Sequence, residues 1–221
     1  GIQSDPTGPM DPPNLALGAL EAAAVSIAVQ HPKCDAEFVF VDALDRSSRD
    51  AANLEGVVTL LEHLGQSVLV VKNEGIAEYF LGLEQSIPER TGTDSALYVV
   101  GLGLDRANLM QQTGFAKPVD GLRLLLRSGP TTNAHLLGWW ASMASFNECL
   151  GFEAQGSIGG LLALGVQQSE LSGLLGPFVT WTFSANRGLL HQGGGSEPAT
   201  VVPMQPISRE TLHILTNVEW D

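Results

Sequence analysis

The stretch RSGPTTNAHLLGWWASM, Arg127 to Met143, decides the fold. A short apolar run, His135 to Gly138, follows a polar turn and ends on two adjacent tryptophans, Trp139 and Trp140, in a chain that has four. Neighbouring residues on a strand point to opposite faces of a sheet, so one hydrophobic layer cannot bury both indoles. Either the strand is covered on both sides and each ring enters a different core, or one ring serves a surface.

The flanking pattern favours a doubly covered sheet. Upstream, AEFVFVD ending at Asp42, QSVLVVKN and SALYVVGLG are short apolar, β-branched runs, and GGLLALGV downstream is a fifth. Between them lie helical stretches: NLALGALEAAAVSIAVQ with Asn14 placed to cap it, RDAANLEGVVTLLEHLG closing on Gly65, GIAEYFLGLEQSIPER up to Pro88, and residues 119–128. Strands alternating with helices predict an α/β domain with a mainly parallel sheet, buried on both faces. After Gly165 the pattern changes. SELSGLLGP reads as a short helix or turn, FVTWTF as an edge strand, RGLLHQGGGSEPATVVPM as two strands around a Gly-rich turn, and SRETLHIL as a last helix capped by Ser208. This tail predicts an antiparallel hairpin added at the sheet edge.

The whole chain sets further bounds. Its 221 residues, 44% of them hydrophobic, suit one domain, taken as residues 14–221 behind a Gly/Pro-rich, linker- or tag-like lead at 1–13. No apolar run reaches the roughly 18 residues of a membrane span, and no secretion signal opens the chain, so a cytoplasmic location is expected. Eleven basic residues stand against 24 acidic ones, a formal charge of −13, and the cations are scattered. Nonspecific DNA affinity needs several cations neutralising phosphates together, so direct nucleic-acid binding is not expected. Cys34 and Cys149 are far apart and read as reduced thiols. His31, His63, His135, His191 and His213 show no metal-ligand spacing, so no metal site is expected. The serines lack a G-x-S-x-G elbow, and Gly101 and Gly103 read as turn formers because the third glycine of a dinucleotide fingerprint is absent.

The order of FVFVD, SVLVV with a helix ending in PER, LYVVGLGLDR and LLRSGPTTNAHLLGWWASMASFNECLG resembles the motor domain of FtsK/SpoIIIE/HerA-type RecA-like ATPases. The Gly129-Pro130 step and the strand start at His135 are part of that likeness, which spans roughly residues 14–208 and lies in order and hydrophobic pattern. It implies a P-loop-type, three-layer α/β sandwich with a C-terminal antiparallel hairpin. It also implies positions for catalytic groups, and at four of them this chain departs. An active member needs a loop of the form G-x-x-x-x-G-K-[ST] to wrap the triphosphate. Here that place holds SDPTGPMDPPN, with no lysine and two consecutive prolines that cannot donate N–H groups. Asp42 stands where the resemblance puts a Walker B aspartate, but Ala43 replaces the second acidic residue. Gly138, Trp139 and Trp140 occupy a sensor position where active relatives carry Thr and Gln, and an indole N–H cannot both donate and accept. Gly159 and Gly160 stand where the family often has an arginine, and none lies between Arg127 and Arg187.

The resemblance thus points to a degenerate, non-hydrolysing module of the kind found in EccC-like secretion ATPases. Asp42 would be a vestigial Walker B residue, and His135, Trp139 and Trp140 would be sensor-position or partner-binding candidates, with at least one indole at the C-terminal rim of the sheet. Its partners would be other ATPase modules or a translocated protein, with a homo-oligomer as a further option and no cofactor required. Two alternatives stay open at this level. One is an active ATP- and magnesium-dependent DNA or protein translocase whose phosphate loop is absent from this chain; the other is an unrelated α/β binding or scaffold protein.

Overall fold

The structure, a computed structural model, describes residues 2–3, 15–72, 74–111, 116–175, 180–181, 187–192, 197–203 and 206–218. Four strands, β2 (Ala36–Asp42), β3 (Ser67–Lys72), β4 (Ala96–Leu102) and β5 (Ala134–Gly138), form an all-parallel sheet in the order β3-β2-β4-β5. A second sheet has the order β1-β6-β7-β8, built from β1 (Ile2–Gln3), β6 (Gly160–Leu164), β7 (Gly188–Gln192) and β8 (Ala199–Val201). β1 runs parallel to β6, while β6, β7 and β8 pair antiparallel. The expected C-terminal hairpin is present, but it extends β6 in its own sheet; β5 and β6 do not pair with each other. Ile2 and Gln3, within the stretch expected to be a lead, pair with Ala163 and Leu164. FVTWTF falls largely outside the described residues, as does the expected cap Asn14.

Helices cover the parallel sheet on both faces, and period-two alternation divides its side chains between two cores. Val39 and Val41 of β2 enter one core with Val99 of β4 and with α4 (Glu74–Ser86), α5 (Pro118–Ser128) and α6 (Met143–Leu150), through Phe80, Leu122 and Phe146. Phe38 and Phe40 enter the other with Val100, α1 (Leu15–Ala28), α3 (Leu54–His63) and α8 (Arg209–Thr216). On α5, a Cβ at Gly121 would lie 1.8 Å from the Phe80 carbonyl oxygen, so α4 and α5 touch backbone to backbone. The remaining helices are α2 (Arg46–Ala51) and α7 (Gln168–Leu175).

The helix expected over RDAANLEGVVTLLEHLG is broken between α2 and α3. The cause is Glu21 of α1, only 3% exposed, whose carboxylate accepts the N–H of Asn53 at 3.1 Å and that of Ile207 at 2.9 Å. Asn53 Nδ2 in turn donates to the Ile207 carbonyl at 3.2 Å. A buried carboxylate with such partners draws Asn53 out of the helical ladder and ties three distant segments together. Gly65 does end α3, with φ of 85°, and Ser208 caps α8 by accepting the Thr211 N–H at 3.1 Å. α6, which the sequence pattern did not single out, starts at a capping box formed by Ser142 and Ser145.

Candidate functional site

The C-terminal ends of β2, β4 and β5 make the rim where open α/β sheets bind ligands. Trp139 and Trp140 stand directly beyond β5, and each is 4% exposed. They divide as adjacent residues must: Trp139 lies in the core under α1 and α3, Trp140 in the core under α5 and α6. Gly138 makes room for this, because a Cβ there would come within 2.3 Å of the Trp140 ring. Trp140 meets Phe146 edge to face with centroids 4.9 Å apart. Neither indole N–H has a hydrogen-bond partner. Burial pushes the Cys149 thiol's pKa up, an effect that the Trp140 indole offsets in part.

Backbone and charge contacts close the rim over the pair. The Trp139 N–H donates to the Gly101 carbonyl, and the Leu104 N–H donates to the Trp139 carbonyl, both at 3.0 Å. The Arg106 guanidinium lies 5.8 Å from the Trp139 ring centroid and reaches Asp45 at 2.6 Å, a cation–π contact held in place by an ion pair. Asp45 also caps α2, accepting the Ser48 N–H at 2.8 Å.

Asp42 ends β2 fully buried. Arg49 Nε donates to one carboxylate oxygen at 2.9 Å and Arg49 Nη2 to the other at 3.2 Å, and the Leu44 N–H adds a bond at 3.1 Å. Both oxygens are engaged, and the charge is balanced by a bidentate guanidinium of the kind that recognises carboxylates most strongly. Among the described residues no group of three His, Cys, Asp or Glu side chains gathers to hold a metal ion. The carboxylate expected at a Walker B position is thus engaged by arginine, and the stretch between β1 and α1 in the sequence, residues 4–14, contains no lysine.

His135 sits away from the rim, near the start of β5, in register with Tyr98 and Phe38 on one sheet face. Its ring stacks on Tyr98 with centroids 5.2 Å apart, and Tyr98 stacks on Phe38 at the same distance. His31 Nε2 lies 2.9 Å from the Tyr98 hydroxyl, and its Nδ1 lies 3.2 Å from Asp35. Burial lowers the His135 pKa, and the nearby His31 charge adds to the effect. His135 and Trp140 also line one cavity of about 250 Å³ between β5 and β6, whereas Trp139 faces the opposite core. The sequence candidates are thus not one constellation. Sequence reading missed Arg49 and Arg106, because nothing in their spacing marks an arginine that folds back onto a strand end.

The fold has solved counterparts. The structure superposes on the cytoplasmic domain of the type VII secretion ATPase EccC from Thermomonospora curvata with a TM-score of 0.62 and 14% identity, covering 87% of this chain and 22% of that one. It also superposes on EssC (ATPases 2 and 3) from Geobacillus thermodenitrificans with a TM-score of 0.63 and 12% identity, covering 97% of this chain and 41% of that one. The chain has the RecA-like fold of these ATPase domains. At such identities the likeness is one of fold, and the chain spans less than half of either counterpart. No family model and no curated protein matches the sequence. Among the described residues no helix is long and apolar enough to cross a membrane.

Proposed function

We propose that this chain is a non-hydrolysing RecA-like module that binds a partner within a larger secretion or translocation assembly. One observation carries the reading: residues 4–14, which follow β1 and precede α1 where the RecA-like reading expects a phosphate loop, offer two adjacent prolines and no lysine. A triphosphate held without backbone donors and a cation loses most of its binding energy. The Arg49 grip on Asp42 and the two buried indoles beyond β5 support the same conclusion. The secretion setting draws on the EccC and EssC counterparts, and the partner is a neighbouring ATPase module or a translocated protein. The deciding experiment is calorimetric titration of the chain with ATP and magnesium, expected to give no binding heat up to millimolar nucleotide. Micromolar affinity with magnesium-dependent phosphate release would overturn it in favour of an active translocase.

A further inference from the structure

The segment that carries α8 is fastened to the body of the fold through small contacts. Leu212 is 3% exposed and Leu215 packs partly beside it, while Ile214 on the same helix is 58% exposed. Leu212 seats on α3 at Gly56, where an added Cβ would stand 2.7 Å from its Cδ1. Beside that seat the two helices part around a groove of about 400 Å³, lined by Asn53, Glu55, Thr59, Arg209, His213 and Thr216. The seam between α3 and α8 is therefore largely polar. Beyond the last turn of α8, His63 Nε2 lies 3.3 Å from the Val218 carbonyl, in exposed surroundings. The head of the segment is held differently. The Ile207 N–H donates to Glu21 of α1 at 2.9 Å, and the Ile207 carbonyl accepts from Asn53 Nδ2 at 3.2 Å, so the tie beneath the start of α8 is a buried carboxylate.

That carboxylate has donors but no counter-charge. Its two oxygens take one N–H each, from Asn53 and Ile207, and among the described residues no cation pairs with it. α1 contains no basic residue. Glu55, Glu62 and His63 of α3, Arg209, Glu210 and His213 of α8 and Arg46 of α2 are exposed, and Arg49 of α2 is held by Asp42. An ionised carboxylate without a cation is costly to keep from water, whereas a neutral carboxyl retains an acceptor oxygen at much smaller cost. We propose that residues 206–216 form a clamp that lifts off α3 when Glu21 ionises and closes when Glu21 carries a proton. Burial raises the Glu21 pKa in the closed form, and lifting the clamp admits water to the carboxylate. The closed form thus binds the proton more tightly, so opening grows as pH rises through the raised value. Lifting draws Leu212 from its seat and uncovers the face of α3 around Gly56, a local opening of the kind that weakly packed elements undergo without global unfolding.

The test is amide hydrogen exchange of the intact chain, read as protection factors so that the pH dependence of intrinsic exchange cancels. Between about pH 5 and about pH 8, protection across α8 is expected to fall about fivefold or more relative to the amides of β4. In E21Q, which keeps the size of the side chain and an acceptor oxygen but cannot ionise, it is expected to stay constant over the same interval. The reciprocal measurement is the titration of the Glu21 carboxyl carbon by NMR, expected above the ordinary carboxyl range in the parent and back toward it in L212A, which removes the side chain seated at Gly56. Protection of α8 that follows β4 at every pH, a fall equally steep in E21Q, or a Glu21 titration that L212A leaves unchanged overturns the inference. No nucleotide enters these measurements, so their failure leaves the non-hydrolysing reading standing, and ATP binding would remove that reading while leaving the clamp.

Discussion

Replacing Trp140 separates the work of its ring from that of its N–H. The ring is 4% exposed and packs edge to face on Phe146. Truncating a buried aromatic to alanine costs about 3–5 kcal/mol, and an aromatic pair contributes about 0.5–1.5 kcal/mol of such a loss. The indole N–H, however, has no partner, and an unsatisfied buried donor carries a penalty of about 1–3 kcal/mol. Removing it offsets part of the loss, so W140A is expected near the lower end, about 3 kcal/mol. In a domain of this size that corresponds to a fall in Tm of about 6–12 °C. W140F keeps most of the apolar contact and deletes the orphan donor, so it is expected within about 1 kcal/mol of the parent. Urea unfolding at 25 °C, compared at equal m-values, measures both. A loss in W140F as large as that in W140A would refute the reasoning, because it would mean that the N–H is bonded in the native state.

Asp42 and Arg49 form a pair with the carboxylate out of water and the guanidinium 39% exposed, so D42A loses charge-assisted hydrogen bonds but leaves the arginine solvated, and is expected to cost about 1.5–3 kcal/mol; magnesium at millimolar concentration is expected to leave the Tm of the parent chain unchanged, and a rise that D42A abolishes would show an ion site after all. Burial pushes the Glu21 pKa above the ordinary carboxyl value of 4.5, against the lowering effect of the Ile207 and Asn53 N–H groups. With its folded pKa above the unfolded one, the folded state binds more protons in that interval, so the stability linked to this group is fully present below pH 4.5 and is lost as pH rises through the raised value. In E21Q this fall is expected to disappear from the stability–pH curve measured by urea titration, and an unchanged slope would place the titration elsewhere.

Much of the fold was legible because two periodicities are written plainly. FVFVD alternates large and β-branched residues for two cores, and Gly138-Trp139-Trp140 demands both of them. The places where reading failed share a physical cause, which is that long-range contacts overrode a local pattern. The run from Arg49 to Gly65 has helical spacing throughout, yet Glu21, some thirty residues earlier, takes the N–H of Asn53 and breaks it. Ile2 and Gln3 carry no strand signal of their own, and their place is set by pairing with Ala163 and Leu164 of β6. At the site, Asp42 was visible as a carboxylate at a strand end, but its fate depends on Arg49, and no spacing rule predicts a guanidinium turning back over its own turn.

The same tryptophan pair that reveals the fold also limits what the rim can do. At this rim Arg106 is held by Asp45 and Trp139, and Arg49 by Asp42. On the proposed reading, an ion taken up by Asp42 would have to displace Arg49 first, and that exchange leaves the buried carboxylate unpaired on the way. On that reading the obstacle to a nucleotide lies at the ends of β2, β4 and β5 as well as in the sequence of residues 4–14.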